Sequence, residues 1–137
     1  MKRDIQLIRR ILFAIEKSND VIAFDNIMQL AKAINEEDHD PLYFHVDILV
    51  ESGYIRLIGP NEKVSDYNKY MIYHLTSKGC DLLDSIRDDS IWGQIINELD
   101  KVGGSASLEI VKAIADRIIC FQLGIWPLPL KAHQKLY

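Results

Sequence analysis

The stretch from Asp40 to Gly79 constrains the fold more than any other part of the chain. It opens with DPLYFHVDILVESG and runs into YIRLIGP; a polar stretch follows, then YMIYHLT and SKG. Leu42, Val46, Leu49 and Val50 recur at helical spacing and predict one buried stripe. Asp40 is placed to cap this helix, and Pro41 to occupy its first position, where a missing N–H costs no hydrogen bond. Gly53 supplies the left-handed residue that ends it. Residues 54–58 and 70–75 are rich in β-branched and aromatic side chains and predict a strand pair. The connection GPNEKVSDYNK is too long and too polar for a tight hairpin and reads as a wing. Thr76 or Ser77 then caps a helix carrying Leu82, Leu83 and Ile86. Helix, glycine, strand, wing, strand and capped helix is the order of the second half of a winged helix-turn-helix.

The flanking segments complete that order. Residues 4–17 read as a helix whose apolar face holds Ile5, Ile8, Ile11, Leu12 and Ile15. At about 100° per residue, Arg3, Arg10 and Lys17 line up on another face beside Lys2 and Arg9. Such a stripe is either a solvated helix face or a phosphate-contacting one. A short strand is expected at 20–23. Asp25 then caps a helix through Ile34 that turns Ile27, Leu30, Ala31 and Ile34 inward. Beyond RDDS, a fifth helix carries Ile91, Trp92, Ile95, Ile96 and Leu99 and is broken by Gly103 and Gly104. Ser105 or Ser107 starts a sixth, to about Leu123.

Apolar residues of the sixth helix, among them Ile110, Val111, Ile114, Ile118 and Phe121, cover about half its circumference, against the ~100° stripe of a surface helix. That width calls for burial between layers or for a second subunit. Ile110, Ile114, Ile118, Phe121 and Trp126 are the candidate homodimer contacts. Trp126, Leu128, Leu130 and Tyr137 make the tail apolar, while Pro127 and Pro129 prevent a continuous helix there. The expected class is mainly α with a small antiparallel β-wing (α+β). Residues 1–87 form the winged helix-turn-helix. Residues 88–137 form C-terminal helices and a tail, packed on the same domain, dimerising, or both.

Charge and composition narrow the function. The chain has 137 residues and a net charge of −4, so no global basic field draws in nucleic acid. Arg9 and Arg10 interrupt the first apolar run, and no stretch is long enough to span a bilayer. Cys80 and Cys120 have neither metal nor redox spacing and read as reduced core thiols of a cytoplasmic protein. The histidines are His39, His45, His74 and His133. His45 sits at the edge of the third helix's apolar face and reads as a satisfied imidazole rather than a ligand. Asp88 and Asp89 point about 100° apart on a helix, a poor catalytic dyad but a good N-terminal cap. The expectation is a non-enzymatic protein with no metal and no cofactor.

HVDILVESGYI followed by HLTSKGCDLLDSI looks like the junctions of winged-helix regulators. More specifically, MKRDIQLIRRIL, LTSKGCDLLDSIRDDSIW and GGSASLEIVKAIA together resemble an uncharacterised winged-helix family often encoded in prophages, over residues 1–124. The resemblance implies a winged-helix-like fold and a mobile-element setting. It implies no activity and carries over no functional residue.

Two binding modes follow from the residues. The third helix would be the DNA-reading element of a helix-turn-helix. Yet no Lys or Arg lies between Asn35 and Ile55, while six acidic residues do, and Asp40, Asp47 and Glu51 project outward beside Tyr43 and Phe44. DNA readers gain much affinity by neutralising phosphates. DNA contact is therefore expected instead from Arg3, Arg10 and Lys17 and from Arg56 and Lys63 of the wing region. The alternative is a protein-interaction module in which Tyr43, Phe44, Asp47 and Glu51 meet a basic host or phage protein.

Overall fold

The computed structural model describes residues 1–58 and 71–125. The elements run α1 (Ile5–Lys17), α2 (Ile27–Ala33), α3 (His39–Glu51), β1 (Ile55–Ile58), β2 (Met71–Leu75), α4 (Ser77–Ile86), α5 (Asp89–Asp100) and α6 (Leu108–Gln122). The protein is mainly helical with a two-stranded antiparallel sheet, the α+β class expected. The expected wing and tail, with Lys63 and Trp126, lie outside the described residues. The chain divides into two compact units, Met1–Leu83 and Asp84–Tyr137, and the division falls inside α4.

In the first unit, α1 starts where Asp4 accepts the Leu7 N–H at 3.1 Å. Ile5, Leu7, Ile8, Ile11, Leu12 and Ile15 are buried on α1, which packs against α2, α3 and β2. Asn26, not Asp25, caps α2. Its Oδ1 lies three residues before the Gln29 N–H it accepts, at 3.0 Å. Asp25 is one residue too early for that bond and exchanges hydrogen bonds with the Gln29 side chain instead. The helix α3 begins at His39 with Asp38 at its N-cap, two residues earlier than Asp40 and Pro41 suggest. Pro41 is third in the helix, still among the first four residues whose N–H groups have no helical partner. Leu42, His45, Val46 and Leu49 are its buried residues, and Val50 is half-buried.

The expected strand at 20–23 shrinks to one bridge. The Ala23 and Phe24 N–H groups donate to Tyr73 and Ile72 carbonyls at 2.9 and 3.1 Å, and the Ile72 N–H returns a bond to Phe24. Val21 is 71% exposed, so the apolar run there has no face to pair against. On the other side of β2, Ile55 pairs with Leu75, and Leu57 and Ile58 pair with Ile72 and Met71. A register shift between Ile55 and Leu57 breaks the strict alternation of the pleat. In β2 the buried residues are accordingly Ile72 and Leu75, three apart.

The LTSKG run is a clamp between the end of α3 and the start of α4. Gly53 has φ +81°, and the Tyr54 N–H reaches back to the Leu49 carbonyl at 2.8 Å, closing α3. The Thr76 N–H donates to the Tyr54 carbonyl at 3.0 Å. The Thr76 hydroxyl donates to the Gly53 carbonyl and accepts the Gly79 N–H at 3.0 Å. The Lys78 ammonium donates to the Ser52 carbonyl at 2.9 Å and lies 4.6 Å from the centre of the Tyr54 ring. Gly79 completes the clamp because nothing larger fits: a Cβ there would sit 2.0 Å from the Tyr54 carbonyl oxygen.

In the second unit, Asp88 caps α5 and Ser107 caps α6, accepting the Ile91 and Ile110 N–H groups at 3.0 and 3.2 Å. Trp92, Ile95 and Leu99 of α5 and Leu108, Val111, Ala115 and Cys120 of α6 are buried, and the two helices pack together. Of the two cysteines expected in the core, only Cys120 is there; Cys80 lies on the solvent side of α4 and is exposed. Asp116 of α6 accepts from the Ser85 hydroxyl and from the Lys112 ammonium, both at 2.6 Å. Ser85 is 7% exposed, so the Ser85 bond carries more weight than the partly exposed Lys112 pair. Asp116→Ala is expected to lower the stability of this unit by about 1–2 kcal/mol, and Lys112→Ala by less than ~1 kcal/mol. Thermal unfolding of the two variants checks the order.

Candidate interaction surfaces

The basic stripe of α1 is not a row of equivalent charges. Arg10 turns toward α2, donating from its guanidinium to the Ile34 carbonyl at the helix C-cap and pairing with Glu36 at 3.4 Å. A cation there complements the negative end of the α2 dipole. Arg9 lies over the Phe13 ring at 4.9 Å, and Arg3 is half-buried. Lys17 is exposed in the last turn of α1. Arg10 and Lys17 share a shallow hollow of about 260 Å3 with Phe13, Ala14, Ala33 and Ile34.

Arg56 is exposed on β1 and stands 5.4 Å from the centre of the Tyr73 ring. That ring is 3.8 Å from the His74 ring. Arg56, Tyr73 and His74 thus form a cation–aromatic stack on the strands flanking residues 59–70. Sequence reasoning singled out Arg56 but not its two neighbours, because the register shift that groups them is invisible in the alternation pattern.

On α3, Asp40 and Glu51 are exposed and Asp47 is half-buried. Tyr43 is half-buried, with its hydroxyl 3.9 Å from the Met28 sulfur on α2. Phe44 is also half-buried and meets the His45 ring edge-on at 5.2 Å. Both aromatics share their surface between core and solvent. Beside them, Glu36, Glu37 and His39 line an open hollow of about 580 Å3 with Met28, Lys32 and Asn35. The outward chemistry of this end of the unit is acidic.

His45 is 1% exposed and bonded on both sides. The Asp4 N–H donates to Nε2 at 2.7 Å, so Nε2 carries no proton. The proton is therefore on Nδ1, which donates to the Pro41 carbonyl at 2.6 Å. The imidazole is a structural tie between α1 and α3, with no nitrogen left for a metal or substrate. Among the described residues, no group of three or more His, Cys, Asp or Glu side chains could hold a metal ion, and no helix is long and apolar enough to cross a membrane.

The second unit has an apolar surface of its own. Ile110 and Phe121 of α6 are 52% and 73% exposed. Ile114 and Ile118 are half-buried and form the floor of a groove of about 530 Å3, whose rim includes Gln94, Glu98 and Arg117. The four described residues expected at a dimer contact thus share one face of α6, and Ile114, Ile118 and Phe121 among them line the recess.

Residues 2–105 match the family described as "Hypothetical protein (DUF2513)". The chain belongs to this family. The matched residues of the DUF2513 protein take in the first unit from Lys2 onward and α5 and stop before α6. A protein of Haemophilus influenzae, described as "Uncharacterized protein", is 28% identical over 126 residues, covering 90% of this chain and all of the relative. No solved structure matches.

Proposed function

We propose that this DUF2513 protein is a non-enzymatic, cytoplasmic regulator of the kind carried by mobile elements. Its first unit is a winged helix-turn-helix that grips a basic protein partner with the acidic face of α3; its second unit pairs two copies. The order α1, Phe24 bridge, α2, α3, β1, β2 supports the winged helix, with Phe24 adding a minimal third strand beside β2. The mobile-element setting rests on the resemblance of the chain's three sequence runs to prophage-encoded proteins.

One observation carries the choice of partner. On α3, the helix a helix-turn-helix would place in a DNA groove, the charged side chains that reach solvent are Asp40, Asp47 and Glu51. The Arg10 side chain is tied to Ile34 and Glu36. Phosphates would be repelled by α3, whereas a basic surface would be steered toward it. The expected result is that Asp40→Lys, Asp47→Lys and Glu51→Lys together abolish capture of the basic partner, without changing thermal stability by more than about 1 kcal/mol. Capture that survives the triple reversal overturns the α3 reading.

A second reading, direct DNA contact, is favoured by the Arg56–Tyr73–His74 stack and by the exposed Lys17. With Arg3, Arg10 and Lys63 these would contact phosphates. A gel shift on random duplexes in low salt separates the readings: salt-sensitive binding lost with Lys17→Glu and Arg56→Glu favours DNA. No shift at low salt leaves the protein partner.

A further inference from the structure

We draw no further inference here: the strongest candidate, the apolar face of α6 where Ile114, Ile118 and Phe121 line the α5–α6 groove, carries none because nothing in the structure shows what covers it.

Discussion

Gly79→Ala is expected to destabilise the first unit by about 3 kcal/mol or more, the high end for overpacking, because the clash is with backbone and no rotamer can relieve it. Intrinsic propensity predicts the opposite sign. Gly79 lies inside α4, where alanine is favoured over glycine by ~1 kcal/mol. The added Cβ, however, would stand 2.0 Å from the Tyr54 carbonyl oxygen and 3.0 Å from its carbon. To make room, α4 must move off the end of α3, which strains the Thr76 bonds to Gly53 and Tyr54 and the Lys78 bond to Ser52. For a unit of this size the expected fall in melting temperature is roughly 15 °C. Gly93 provides the opposite case. It lies inside α5, and a Cβ there would meet nothing within 4 Å. Gly93→Ala is expected to stabilise by ~0.5–1 kcal/mol. Thermal unfolding followed by circular dichroism compares the two. A neutral Gly79→Ala would mean that α4 does not rest on the Tyr54 carbonyl.

His45→Phe is the second large effect, expected at about 2–3 kcal/mol. Phenylalanine keeps most of the ring's volume, so the loss reports on hydrogen bonding more than on a cavity. It removes the acceptor of the Asp4 N–H, which Nε2 meets at 2.7 Å, and the donor to the Pro41 carbonyl. An N–H left without its acceptor at this part-buried helix start costs part of its desolvation, and the Nδ1 proton's bond to Pro41 is lost inside the core. His45→Gln is expected to recover part of the loss, because an amide oxygen can accept the same N–H. Urea unfolding gives the comparison, with the midpoint shifting and the slope unchanged. A phenylalanine variant as stable as the wild type would show that the imidazole is not the tie described.

How much of this was legible in the sequence differs by element. The stripes of α1 and α6 were readable because apolar side chains recur at helical spacing, and Ile8, Ile11 and Val111 are indeed buried. The caps of α5 and α6 were readable only as pairs of candidates, Asp88 with Asp89 and Ser105 or Ser107; the structure uses Asp88 and Ser107, each accepting an N–H three residues on. The short strand at 20–23 was not readable. Its apolar residues suggest a strand, but pairing needs a neighbour in register, and only Phe24 reaches Ile72. The start of α2 was misplaced by one residue because Asp25 and Asn26 are both good capping residues, and only geometry separates them. For the candidate surfaces, the acidity of α3 could be counted directly. The turn of Arg10 toward Ile34 could not, since it depends on where α2 ends relative to α1. The clamp role of LTSKG was likewise hidden: the run is recognisable as a pattern, but its bonds go to residues more than 20 positions earlier.

The tie between Asp4 and His45 spans 41 positions of the chain, and it changes how the molecule comes apart. The first turn of a helix ordinarily frays, since only its own bonds hold it. Here the cap residue is fastened by an imidazole from the middle of the unit's core. The first turn of α1 cannot peel away while α3 remains packed, nor can α3 slide without releasing that turn. The edge of the unit is thereby enrolled in its most protected set of bonds, and the helix bearing the basic stripe keeps its orientation for as long as the core itself survives.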